Sequence, residues 1–174
     1  RMDFGVGIGW LKEEFENLDM DFSTRAARTE EYIFAMRALW SDGVSEFSGQ
    51  TVSLQPCHFN PKPVQKPYPP IYFGGESDGA MRRVARLGDG WYGYDLSPEQ
   101  LQEKLVGLDA ALAGAGRSRS DIDLVVGPNL HPVTVDTVAA YSAAGVDQLV
   151  VPVFAGSLDK LSDRLDALMA LASA

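Results

Sequence analysis

From Ile71 onward the sequence alternates short apolar runs with helix-like stretches, and this alternation constrains the fold more than any other feature. "IYFG" at Ile71 leads into a helical pattern ending near Leu87, and "GWYGY" from Gly90 leads into a second helix. "IDLVVG" from Ile122 precedes a helix over about residues 136–144, and "DQLVVPVF" precedes the closing "SLDKLSDRLDALMALA". Strands alternating with helices imply parallel strands joined by right-handed crossovers. Upstream, "DFGVGIGW" (Asp3 to Trp10) reads as a buried strand ending in glycines, with a helix following from about Thr24 to Trp40. That makes five βα units, with strands near residues 4, 71, 91, 123 and 149. A doubly wound open sheet and a (β/α)8 barrel both produce this rhythm. Five units complete the first but form only part of the second. The barrel predicts that the strand at Phe4 lies beside the strand at Ile71, and the open module predicts that it does not.

Local chemistry supports the elements. Ser97-Pro98-Glu99-Gln100 is a capping box with proline at the first helical position, and Leu101, Leu105, Leu108 and Leu112 form one helical stripe behind it. In the last helix Leu158, Leu161, Leu165 and Leu168 are expected on the inner face. Gly88, Gly116 and Gly145 stand where helices should end. Residues 41–70 interrupt the rhythm as an insertion in what is otherwise a single domain over 1–174. It holds a hairpin-like "VSEFSGQTVSL" and then "NPKPVQKPYPP", whose prolines favour extended backbone and exclude helix.

The formal net charge of -9 argues against nucleic acid or an anionic membrane as the main partner. It leaves room for a small anionic ligand, because a local nest of backbone N–H groups binds phosphate even on an acidic protein. No apolar run approaches the roughly 20 residues that span a bilayer. Cys57 is the only cysteine, so no intrachain disulfide forms and a cytoplasmic setting is expected. The chain opens on Arg1 and enters a strand within three residues, so it is expected to be part of a longer protein.

The turn Gly74-Gly75-Glu76-Ser77 is the strongest candidate site. Its glycines admit a ligand close to the backbone, and Ser77 is placed to cap the next helix. The N–H groups at that helix start, with the positive end of the macrodipole, form a seat for a phosphate. A tight strand-to-helix turn with no ligand accounts for the same residues. Glu76 would repel a phosphate and is better suited to accept a hydrogen bond from a ligand hydroxyl or a backbone N–H. "GVGIGW" lacks the dinucleotide-binding spacing. Glycines on one face of a strand leave room for something flat, or else for close packing of a neighbour. His131, just beyond "IDLVVGPNL", stands at the C-terminal end of its strand, where α/β proteins place their sites; it is a weak catalytic candidate beside a capping or solvent-exposed role. His58 has less support, the two histidines lack a metal-binding spacing, and Cys57 has no nearby base. Arg82, Arg83 and Arg86 read as a solvated helix face.

Taken in order, "FGVGIGWLKEEF", "TRAARTEEYIFAMRALW", "FSGQTVSL", "NPKPVQKPYPPIYFGGES" and "ARLGDGWYGY" resemble segments of the luciferase-like flavin or deazaflavin monooxygenases. The likeness is greatest to the coenzyme F420-dependent oxidoreductases of that superfamily. It implies a TIM barrel of which the chain holds strands four to eight, the first three βα units being absent. It implies that Gly74, Gly75, Glu76 and Ser77 hold the cofactor phosphate and that Gly7, Gly9 and Trp10 border the cofactor. Some members carry an acid or arginine at that first strand end, where this chain has Ile8 and Trp10, which speaks against acid–base chemistry from this strand. Two activities follow from the resemblance: hydride transfer with F420 on a small-molecule substrate, or oxygen activation with reduced FMN. A reading from another class is a truncated, non-catalytic fragment that assembles as a homodimer or with a missing N-terminal half.

Overall fold

The computed structural model describes residues 2–172, leaving out Arg1, on which the expectation of a missing lead-in rests. The chain divides into two compact units, Arg1–Ile71 and Tyr72–Ala174.

In the first unit, strand β1 (Phe4–Val6) is followed by helix α1 (Lys12–Asn17), helix α2 (Arg25–Trp40) and the strands β2 (Ser45–Ser48) and β3 (Ser53–Cys57). The expected hairpin is present: β2 and β3 pair antiparallel, with Phe47 opposite Leu54. Glu31 of α2 anchors its loop. The carboxylate accepts the backbone N–H groups of Gln50, Thr51 and Val52 and the Thr51 hydroxyl. Those bonds, the Thr51 hydroxyl first, hold its pKa down at about 2. β1 is shorter than the sequence led one to expect and only half-buried, since glycines give a strand little to pack. Its Phe4 ring meets Trp40 edge-on at 5.9 Å. The Phe4 N–H donates to Pro70 O at 2.8 Å, which sets β1 beside the chain at Pro70–Ile71 as a barrel requires. Helix α1 was not foreseen; its six residues carry no buried side chain, so no apolar periodicity announces it.

Strand β4 (Ile71–Gly74) begins on the last residue of the first unit, and the second unit goes on with α3 (Asp78–Leu87), β5 (Gly90–Tyr94), α4 (Pro98–Gly114), β6 (Asp123–Gly127), α5 (Val135–Ala143), β7 (Gln148–Leu149) and α6 (Leu158–Ala172). β4 to β7 lie side by side in chain order, all parallel. Alternation along the strands gives the sheet two unlike faces. Ile71, Phe73, Trp91, Leu124 and Val126 share one face and are fully buried with the apolar stripes of α3 and α4. Tyr72, Tyr92, Tyr94 and Asp123 share the other, and these four side chains stay half-buried to exposed. α3 packs on α4 and α4 touches α5, so the crossover helices lie on one side. That is single winding, the arrangement of a barrel segment, whereas a doubly wound sheet would cover both faces. The described strands do not close into a barrel.

The capping box forms in full, and Leu101, Leu105, Leu108 and Leu112 are all buried. Gly116 and Gly145 close helix ends through paired reverse hydrogen bonds, Arg117 N to Leu112 O and Val146 N to Tyr141 O. Gly88 instead has extended backbone, and the α3 end is held by Arg117, whose Nη1 donates to Ala85 O and Gly88 O. Three expectations need correction. The "DQLVVPVF" strand shrinks to Gln148–Leu149 with one further ladder bond at Val150, because Pro152 has no N–H to extend it. Consequently α6 has little sheet to cover, and its supposed inner face is only partly covered: Leu158 is 83% and Leu165 46% exposed, while Leu161 and Leu168 are half-buried. Arg83 is buried rather than solvated, since it stands three residues after Ala80 on the inward stripe; Arg82 and Arg86 are exposed.

Candidate functional site

The turn after β4 is shaped by its neighbours. Gly75 has φ +100°, a conformation that a side chain would strain, and a Cβ there would stand 3.1 Å from Ala80 Cβ. Its carbonyl accepts the Trp91 indole Nε1–H at 2.9 Å. Trp91 is fully buried in β5, so it fixes the turn from within the core. Gly74 faces open space, with nothing within 4 Å of an added Cβ. Ser77 caps α3, its hydroxyl accepting the Ala80 N–H at 3.2 Å. Among the described residues no acceptor meets the Asp78 and Gly79 N–H groups, so the first turn of α3 presents two free donors at its positive end. Glu76 is engaged elsewhere: its Oε1 accepts the Tyr94 N–H at 3.2 Å, tying the turn to the end of β5.

The neighbouring strand ends add polar groups. His131 stands beyond β6, its Nε2 3.2 Å from Asp95 O and 3.9 Å from Asp95 Oδ1. Asp95 also accepts the Leu130 N–H, so the loops after β5 and β6 are bound together. Asn129 escaped the sequence reading. It has φ 45°, uncommon outside glycine, and its buried Nδ2 has no partner among the described residues. The dipeptide Pro128-Asn129 at a strand end is the signal that could have drawn attention to it. On the open sheet face the Tyr72 hydroxyl donates to Asp123 Oδ2 across Gly90. His58 is exposed, Cys57 is a free thiol, and no described cluster of His, Cys, Asp or Glu could hold a metal ion.

In the first unit Gly5, Gly7 and Gly9 line a cavity of about 550 Å³ between β1 and α2. A Cβ at Gly5 or Gly7 would meet nothing within 4 Å, so this wall is flat and open. Gly9 differs: its φ is +79°, and a Cβ would press on the Phe15 ring at 2.7 Å. Trp10 does not line the cavity and is 83% exposed.

The profile of the luciferase-like monooxygenases matches residues 1–167. The chain belongs to that family. An uncharacterised protein of Mycobacterium tuberculosis is 30% identical over 152 residues, covering 87% of this chain and 51% of the relative. The FMNH(2)-dependent dimethylsulfone monooxygenase of Pseudomonas putida is 27% identical over 140 residues, covering 79% of this chain and 37% of the enzyme. Among solved structures, an F420-dependent secondary alcohol dehydrogenase in complex with an F420–acetone adduct superposes with a TM-score of 0.63 at 23% identity, over 81% of this chain and 43% of that one. The chain thus spans about half the length, or less, of the relatives it matches. The sequence relatives thus include an FMNH(2)-dependent monooxygenase, and the structural neighbour is an F420-dependent dehydrogenase. No described helix is long and apolar enough to cross a membrane.

Proposed function

We propose that this chain supplies the phosphate seat of a flavin- or deazaflavin-dependent oxidoreductase, with coenzyme F420 as the cofactor. The observation that carries this reading is the β4–α3 turn: open space at Gly74, two free N–H donors at Asp78 and Gly79, and a backbone locked by Trp91. Such a helix start favours an anion through both its donors and its dipole. Ser77 already caps the helix, so it contributes chiefly by holding the donors in place. In the first unit the open wall at Gly7 suits a flat ring, whereas the space beside Gly9 is filled by Phe15 and Trp10 lies outside the cavity. Bound there, the cofactor supplies the redox chemistry, hydride transfer for F420 or oxygen activation for FMN. The chain's own residues bind and orient it. Neither Ile8 nor Trp10 offers a titrating group, which agrees better with hydride transfer on a small organic substrate than with proton chemistry from this strand. The Pseudomonas putida relative supports the FMN alternative. A second copy of the chain, or the remaining βα units, would cover the open strand edges.

Fluorescence titrations of F420 and of FMN test the seat. Gly74→Asp places a carboxylate in open space without backbone strain, which Gly75→Asp would not. The expected result is tighter binding of F420 than of FMN, and a loss of about tenfold or more in Gly74→Asp, equivalent to about 1.4 kcal/mol. Equal binding by both proteins would remove the seat.

A further inference from the structure

The cavity beside β1 carries charge that the cofactor reading leaves unused. Arg25 and Arg28, one turn apart on α2, both line it, and the Nε of each is buried with no hydrogen-bond acceptor. Arg25 is positioned from one side only: its guanidinium stacks 3.7 Å from the Phe22 ring centroid and Nη1 donates to Phe22 O at 2.9 Å. Among the described residues no hydrogen bond or ion pair reaches Arg28. Asp21 feels its charge: the Asp21 carboxyl pKa is lowered first by the Ser23 hydroxyl and only last by Arg28. Glu14 is the only acid on the cavity wall, and it is exposed. Leaving guanidinium N–H groups buried and unanswered is unfavourable, and a carboxylate or phosphate answers them with charge-assisted, often paired bonds. Thr29 and Tyr32 add two hydroxyls, the remaining side chains are mostly apolar, among them Phe15, Leu18, Met20, Ile33 and Met36, and the Gly5–Gly7 side is open. A volume of about 550 Å³ suits a small organic molecule.

We propose that this cavity binds a small organic anion, with Arg28 and Arg25 meeting its carboxylate or phosphate and the apolar side chains holding its carbon body. The anion is either a separate substrate or an acidic group of the cofactor itself. The site shares Gly7 and Gly9 with the cofactor reading but none of Gly74 to Ser77, so the two fail separately.

The test follows the arginine Nε–H signals in a 15N-labelled sample of the chain titrated with succinate and with inorganic phosphate. Arg28→Gln identifies the Arg28 signal by its disappearance, and its melting curve reports whether it is folded. A saturable shift of both signals by either probe supports the site. So does succinate binding about tenfold weaker in Arg28→Gln and weakened by added salt. Competition between succinate and FMN or F420 would make the cofactor the source of the anion. Succinate binding alongside bound cofactor would make it a separate ligand. Either places an anion on Arg28. No saturable shift of either signal, or equal binding by wild type and a folded Arg28→Gln, would overturn the proposal.

Discussion

Two strands in this chain end in glycines followed by a residue of consequence, and they use those glycines differently. At β1, Gly5 and Gly7 contribute vacancy: they leave one wall of a cavity flat, and the chain moves on to an exposed Trp10 and a helix whose first residue has no side-chain cap. At β4, Gly75 contributes conformation. Its positive φ turns the chain into α3, where Ser77 caps the helix and Trp91 holds the turn from the core. One glycine run is shaped by what it leaves out, the other by a backbone that only glycine adopts easily. A turn that must present donors to an anion needs the second kind, because its donors have to stay in place before the ligand arrives.

Trp91 and Trp10 offer the largest test of this contrast. Trp91 is fully buried and its indole bonds Gly75 O, whereas Trp10 is 83% exposed. Trp91→Ala is expected to cost about 3–5 kcal/mol in urea unfolding, from the cavity it leaves together with the lost hydrogen bond. Trp10→Ala should stay within about 0.5 kcal/mol. Similar losses for the two would mean that the β1 end is as firmly built as the β4 end.

A finer division runs within the β1 end. Gly9→Ala forces an alanine into φ +79° against the Phe15 ring, and a cost of about 1–2 kcal/mol is expected. Gly7→Ala meets nothing and should change stability by less than about 0.5 kcal/mol. If Gly7→Ala nonetheless weakens cofactor binding, its role is the open wall and not the fold. Thermal melts of both variants, paired with the F420 titration, separate the two effects.

What the sequence made legible was periodic or local. The α4 stripe, its capping box, the hairpin and the Ser77 cap each depend on residues within a few positions, and all are present. The features that escaped depend on partners remote in sequence. Trp91 reaches back to Gly75 and Arg117 to the end of α3, bonds that no spacing rule announces. The α6 leucines recur at helical spacing as those of α4 do, yet none is fully buried among Leu158, Leu161, Leu165 and Leu168, because burial is decided by how much sheet the preceding strand provides. Arg25 and Arg28 drew no comment in the sequence, because nothing local announces the cavity beside them.

Ser77 gives the sharpest separation of structure from ligand. Ser77→Ala removes the acceptor for the Ala80 N–H and should cost about 1 kcal/mol, visible as a lower midpoint in urea. Ser77→Asp restores an acceptor that caps as well as serine does, so stability should return to within about 0.5 kcal/mol of wild type. The aspartate, however, brings a negative charge beside the free Asp78 and Gly79 donors, and a phosphate approaching them would be repelled. A folded Ser77→Asp that loses cofactor binding would identify the turn as an anion seat. A folded Ser77→Asp that binds as wild type does would leave the turn as a helix start and nothing more.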